Sequence, residues 1–383
     1  MNKSPNLLQT PDLIKVPNLK KMVLEDCLNL REIHPSTWVH NRLTHLNLKG
    51  CVNVKTLPSK FKMESLENLI LSGCSKLKKI PEFGENMQHV LKLYLGGTAI
   101  TKLPTSIGHL NGLVLLNVRD CKNLTCLPSN IFNLKLLKDV NISGCLKLER
   151  LPDNVGNAES VEELDVSGTA IREVPSSISL LKNLKVLSFS GCKGLSSFNS
   201  TSCYDLLPFS SSPKIADPVG LSSLLGLCSL TELKLEDCNI RAIPDDICCL
   251  FSLEELTLSG NSFVYLPNNI NQLCKLRRMD LENCTSLRSL SNLPSSIVSI
   301  WGNGCTSLEA VPDLRKPNSL CEVELHLTNC SKLADNQDVI DMFFAMIRKH
   351  LQVSLSLSLS LSVINNCRKN IVCIAYKIFK AEN

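Results

Sequence analysis

The chain has 383 residues, of which 44% are hydrophobic but only 4% aromatic, and its 41 basic and 36 acidic side chains leave a net charge of +5. With no long basic run, that balance argues against nucleic acid as the main partner. No apolar stretch reaches the roughly 18 residues a membrane-spanning helix needs, and the opening Met1-Asn-Lys-Ser-Pro-Asn lacks the apolar core of a secretory leader.

Taken in chain order, residues 1–18 read as a partial repeat, because Ser4, Leu7 and Pro11 match the slots that Cys51, Val54 and Pro58 hold later. This lead-in begins mid-coil without the polar cap expected at a solenoid end, so the chain reads as a piece of a longer receptor-like protein. From Leu19 the full repeat sets in. Leu113 to Pro128 shows its skeleton, L-x-x-L-x-V-x-x-C-x-x-L-x-x-L-P, and Leu43–Pro58, Leu66–Pro81 and Leu137–Pro152 carry it too. The first slot recurs at 19, 43, 66, 90, 113, 137, 161, 184, 230, 253, 276, 297 and 322, mostly at intervals of 23 or 24. A period of about 20–29 with this interior is the signature of a leucine-rich repeat. The fold class expected is therefore an α/β repeat solenoid, a horseshoe with short parallel strands on its concave face.

Each L-x-L segment should form one such strand, and the Leu-Pro ending should stop it, since proline cannot donate to a ladder. Segments such as Thr105-Ser-Ile-Gly-His-Leu and Ser176-Ser-Ile-Ser-Leu-Leu should form helical turns on the convex side. Residues 19–198 make one block of repeats and 230–333 a second. Between them, 199–229 break register, with Ser, Pro and Asp gathered near Ser210-Ser-Ser-Pro-Lys, and read as one decayed coil with a surface loop. Residues 334–383 hold a helix over Asp335–Gln352, then the strictly alternating Val353–Val363, a strand that lacks a partner sheet.

Ten cysteines share one slot: Cys27, Cys51, Cys74, Cys121, Cys145, Cys192, Cys238, Cys284, Cys305 and Cys330. Thr98, Thr169 and Asn261 take it in other copies, so the slot wants a small, buried, weakly polar side chain. These are structural thiols of a reducing compartment rather than a disulfide framework, since parallel side chains suit disulfide geometry poorly. The Cys248-Cys249 doublet is a poor metal motif, and one of the two should point into the convex-side packing. No phosphate loop, dinucleotide fingerprint, zinc-protease or serine-hydrolase motif is present, and the seven histidines are scattered. No catalytic, cofactor or metal site is expected, and no enzyme.

What remains is the concave surface. The residues between the strand leucines run Val23, Asn47, Ile70, Tyr94, Asn117, Asn141, Asp165, Ser188, Lys234, Thr257, Asp280, Trp301 and His326. Tyr94 and Trp301 stand out as anchors, because aromatics on a polar face are typical of interfaces; Trp301 could equally pack on the C-terminal helix. Charge gathers at Glu162, Glu163 and Asp165, and at Arg277, Arg278 and Asp280, which with Lys234 complete the candidate docking residues.

The phrases Asn6-Leu-Leu-Gln-Thr-Pro-Asp-Leu, Val16-Pro-Asn-Leu, Ile33-His-Pro-Ser, Leu293-Pro-Ser-Ser-Ile and Cys305-Thr-Ser-Leu-Glu, with the Leu-x-Leu-Ser-Gly-Cys repeats, resemble a known family. The chain is similar, over about residues 4–363, to the leucine-rich repeat region of plant intracellular immune receptors of the TIR–nucleotide-binding–LRR class. Asn329-Cys-Ser-Lys-Leu and the Leu-Ser run resemble the start of that class's post-repeat domain. The resemblance implies a protein-binding module in the cytoplasm or nucleus. Its partners would be a pathogen effector, a host guardee or a receptor's own nucleotide-binding domain, and it would help hold a receptor inactive until recognition. The TIR and nucleotide-binding domains are not in this sequence, so none of their residues carries over. The competing readings are a secreted or cell-surface repeat protein, whose L-x-G-x-I-P repeats differ from the L-P endings here, and a standalone decoy or non-functional fragment.

Overall fold

The structure, a computed structural model, describes residues 2–196, 224–312 and 324–342. The chain divides into two units, residues 1–194 and 195–383. Each is a stack of coils held by a parallel ladder of three-residue strands. In the first unit the strands are β1 (Lys21–Val23), β2 (His45–Asn47), β4 (Asn68–Ile70), β6 (Lys92–Tyr94), β7 (Leu115–Asn117), β8 (Asp139–Asn141), β9 (Glu163–Asp165) and β10 (Val186–Ser188). A separate two-residue pair, β3 (Lys60–Phe61) and β5 (Glu82–Phe83), lies outside that ladder. The second unit holds β11 (Glu232–Lys234), β12 (Glu255–Thr257), β13 (Arg278–Asp280), β14 (Ser299–Trp301) and β15 (Glu324–His326). Successive strands pair in register at the repeat period, as in Leu46↔Leu69, Leu116↔Val140 and Leu256↔Met279.

The strands form because their middle residue is apolar and the flanking two are not required to be. Met22, Leu46, Leu69, Leu93, Leu116, Val140, Leu164 and Leu187 are buried, while their neighbours, the buried Ser188 apart, reach solvent. Period-two alternation places those neighbours on the opposite face. One residue further on the inner row continues, with Leu48, Leu71, Leu95 and Val118 fully buried.

Each strand then turns sharply, and the turn explains the Ser-Gly-Cys phrase. The residue before the ladder slot is left-handed in every described coil: Asp26, Asp120, Asp237, Asn283 and Asn329 have φ of 50–59°, and Gly50, Gly73, Gly97, Gly144, Gly168, Gly191, Gly260 and Gly304 have φ of 63–77°. Only Gly, Asn and Asp adopt that region readily. At Gly144 a Cβ would also come within 2.3 Å of Asp120 Oδ1, so the coil stacks against a bare backbone.

The ladder cysteines follow this turn, and all ten are buried free thiols. Most point back to a carbonyl of the preceding coil: Cys51 Sγ donates to Leu24 O at 3.0 Å, Cys74 to Leu48 O at 3.2 Å, and Cys145 to Val118 O at 3.3 Å, whereas Cys238 donates to Glu236 O of its own coil at 3.3 Å. Burial pushes the Cys51 thiol up to about 11 and those of Cys74, Cys145, Cys284 and Cys305 to about 12. They stay protonated and inert, because the thiolate is the reactive form. The substitutes also donate to strand-end carbonyls: Thr169 Oγ1 to Val166 O of its own coil at 2.8 Å, and Asn261 Nδ2 to Leu235 O of the preceding coil and Leu258 O of its own, both at 2.7 Å.

On the far side the chain returns through 3-10 turns, Pro35–Val39, Thr105–His109, Ser129–Asn133, Val155–Asn157, Ser176–Leu180, Asp245–Cys249 and Ile270–Gln272. Cys248 of the doublet is buried there and Cys249 exposed. The expected helical turn is absent from the return at residues 291–296, and in two other coils it is replaced by the extended β3 and β5. Phe61 and Phe83 are fully buried and their rings sit 5.6 Å apart, with Trp38 5.4 Å from Phe61. Aromatic residues favour a pleated surface, and a two-residue ribbon sets the rings side by side.

The lead-in residues stack on the first full coil. Gln9 bridges Glu32, Leu13 is buried, and Leu13 N donates to Ser36 Oγ at 2.8 Å. After the break, Leu224 and Leu227 are already buried, at the slots Ile247 and Leu250 fill one coil later. The helix read over Asp335–Gln352 is described only in part: a short α1 (Ser331–Ala334) precedes it and residues 337–342 are helical. Phe343, Ile347, Leu351, Glu322, the Val353–Val363 strand and the Ser210 stretch lie outside the described residues.

Candidate interaction surface

The outward face of the strands is built from the first and third residue of each, with the residue before the strand at its margin. In the first unit this face is sorted by chemistry. Ile70 and Tyr94 are register partners on β4 and β6, both half-buried, and Leu115 lies on β7 opposite Lys92. Leu91 and Val114 sit at the margin of the same coils, joined by Val114 N donating to Leu91 O at 2.9 Å, and Leu91 is 40% exposed. Tyr94 thus belongs to an apolar patch of five side chains on neighbouring coils. The sequence reading took the aromatic alone.

Two strands on, the surface turns acidic. Asp139 on β8 lies opposite Glu163 on β9, and Asn141 opposite Asp165. Burial first, then the charges of Glu163 and Asp165, raise the Asp139 carboxyl above its usual range. Like charges directly opposite destabilise a strand pair, so this face carries an unmet demand for positive charge. Asp165 is held rigidly: it accepts from Asn141 Nδ2 at 3.2 Å, Ser167 N at 2.9 Å and Ser167 Oγ at 2.5 Å. Asp139 escaped the sequence reading, although it occupies the first strand slot exactly one period before Glu163.

Glu162 belongs to a different arrangement. It lies between Lys138 and Lys185 at the same slot of the adjacent coils, 2.7 and 2.5 Å from their Nζ atoms. These two hydrogen-bonded lysines pull its carboxyl down to about 2. Its charge is neutralised within the ladder, so it is a weaker docking residue than Glu163. A folded pKa below the unfolded 4.5 means the clamp contributes fully above about pH 4.5 and is lost as pH falls through about 2. Glu162→Gln should therefore lower stability modestly at neutral pH and flatten the profile across that acid window, the two proteins converging near pH 2, read as urea midpoints at each pH. An identical acid limb in both proteins would exclude the clamp.

In the second unit Trp301, on β14, is 47% exposed and meets the His326 ring edge-on at 6.0 Å. Its described contact is thus on the strand face, with β15. Asp280 is its register partner on β13. Burial raises the Asp280 carboxyl, which accepts from Glu282 N at 2.9 Å. The charges read as segregated are instead partly paired: Arg278 bonds Glu255 on the neighbouring strand, and Lys234 lies 2.8 Å from Glu232 of its own strand. Arg277 is exposed at the margin.

Among the described residues no group of three or more His, Cys, Asp or Glu side chains could hold a metal ion, and no helix is long and apolar enough to cross a membrane. A parallel ladder of short strands, a left-handed turn, a buried Cys/Thr/Asn slot and an outward polar face define a leucine-rich repeat protein. The fold agrees with a solved one: a leucine-rich repeat protein of Leptospira interrogans aligns with TM-score 0.58 at 24% identity, over 83% of this chain and 75% of its own.

The sequence comparisons narrow the class. The family model described as "Disease resistance protein RPS4B-like, leucine-rich repeats" matches residues 61–150. TMV resistance protein N of Nicotiana glutinosa is 36% identical over 77% of this chain and 24% of its own length. Disease resistance protein RPP2B of Arabidopsis thaliana is 36% identical over 89% of this chain and 27% of its own. The chain belongs with the leucine-rich repeat regions of plant disease resistance proteins, the class its motif phrases resemble. It spans about a quarter of the length of these curated relatives.

Proposed function

We propose that this chain is the recognition module of a plant immune receptor, binding a pathogen effector or a host partner through its strand face and regulating receptor activation in defence. The observation that carries this reading is the first unit's face, where the Ile70–Tyr94–Leu115 patch adjoins the acidic Asp139–Glu163–Asp165 patch. An apolar centre with a charged flank is the anatomy of a protein-binding surface, and it is presented by a disease-resistance repeat. The second unit adds Trp301 as an exposed anchor. The protein acts by binding and not by catalysis, in the cytoplasm, where its ladder thiols stay reduced.

The test is proximity labelling in plant tissue challenged with a pathogen, comparing the wild-type chain with Tyr94→Ala/Trp301→Ala. Loss of two aromatic anchors should cut recovery of the specific prey roughly tenfold or more, with an unchanged circular dichroism spectrum. Equal recovery by both proteins would move the contact off the strand face. If the wild type recovered only chaperones and degradation machinery, the recognition reading would fall.

A further inference from the structure

Beside the strand face, the first unit carries a second surface. Residues that follow Cys51 and Cys74 line a cleft of about 830 Å³. Its floor is apolar, made by Leu57, Pro58, Ile80 and Pro81, and its rim carries Lys55, Lys78 and Lys79. All three lysines are exposed, and among the described residues none has an ion-pair partner. The one acid in the lining, Glu82, accepts a hydrogen bond from Ser106 Oγ, and Lys76 donates to Asn53 Oδ1 at 2.5 Å.

The backbone is open at the same place. In flanking coils this stretch is stitched to its neighbour: Arg31 N and Glu32 N donate to Leu8 O, Thr125 N donates to Thr101 O, and Lys102 bridges Cys126. Among the described residues no hydrogen bond reaches the backbone of Lys55, Thr56, Lys78 or Lys79. Two successive coils thus present free amide and carbonyl groups above an apolar floor and beneath a ring of uncompensated positive charge.

We propose that this cleft docks an extended, acidic–apolar peptide segment of a partner protein. The segment's backbone pairs with the free edge at residues 55–56 and 78–79, its apolar side chains rest on Leu57 and Ile80, and its carboxylates meet Lys55, Lys78 and Lys79. Main-chain pairing supplies affinity and alternate side chains supply selectivity, as in strand addition to a sheet edge. Nucleic acid fits the site less well, because no aromatic side chain lines it to stack a base. The site is independent of the strand-face reading and stands or falls separately.

The probe is a fluorescein-labelled nonapeptide alternating glutamate and valine, titrated by anisotropy into the full chain. Three comparisons accompany it: the same peptide with glutamine for glutamate, the same peptide N-methylated at alternate residues, and an oligothymidine of equal charge. Binding of the acidic peptide should weaken steeply with salt, and K55E/K78E/K79E should weaken it roughly tenfold or more, since three attractive contacts become repulsive. The lysines are exposed, so circular dichroism should not change. Glutamine and N-methyl peptides should bind far more weakly. Equal binding of the triple variant, or of either control peptide, would overturn the proposal, as would tighter lysine-dependent binding of the oligothymidine.

Discussion

Cys145→Arg should collapse the centre of the first unit. Cys145 is fully buried, its Sγ donating to Val118 O at 3.3 Å, and an arginine there would drive a charge and a far longer side chain into a site that fits a thiol. Burying an unpaired charge costs several kcal/mol, on the order of 4 or more once relaxation is included. Because each coil of a solenoid leans only on its neighbours, the loss should spread from the coils of β7, β8 and β9. The measurement is the urea midpoint together with amide exchange of Ile142 and Val166. Cys145→Thr is the informative control, because Thr98 and Thr169 already hold this slot; it should stay within about 1 kcal/mol, keeping a small donor in place. Unchanged unfolding of the arginine variant would break the account of the ladder.

Phe61→Ala should be nearly as damaging. The ring is fully buried between Trp38 and Phe83, and it occupies a place where the preceding coil uses a 3-10 turn and the following one pairs as β5. Removing a buried phenylalanine costs about 3–5 kcal/mol through lost burial and the cavity left behind. Trp38 reports the change directly once exposed Trp301 is replaced by Phe, and its emission should shift to the red. A loss under about 1 kcal/mol with unshifted emission would mean the ribbon does not depend on the stack.

Much of this was legible in the sequence because a repeat states its structure many times over. The L-x-L strands sit where the period placed them, and the ladder cysteines are buried where their exchange with Thr and Asn required. The Glu162 clamp was legible in principle too: Lys138, Glu162 and Lys185 occupy one slot in three successive coils. The interaction surface was less so. Tyr94 drew attention as an aromatic, but Ile70, Leu91, Val114 and Leu115 looked like ordinary leucine-rich sequence until the register set them side by side. Asp139 was passed over because charge was sought as runs of one sign along the chain, and its sequence neighbours are Lys138 and Val140. The pairing of Arg278 with Glu255 likewise appears only when charges are placed on adjacent strands.

By itself the sequence determined the period, the inward slots and the left-handed turns, all of which are local: they follow from apolar spacing and from which residues tolerate positive φ. Only the tertiary structure decided the rest. Whether a coil returns as a 3-10 turn or as the β3–β5 ribbon depends on Trp38, Phe61 and Phe83, which come from three successive coils. Whether Lys55, Lys78 and Lys79 face a stitched or an open backbone depends on hydrogen bonds between coils. Such contacts join residues a full period apart, and their geometry arises only when the coils stack.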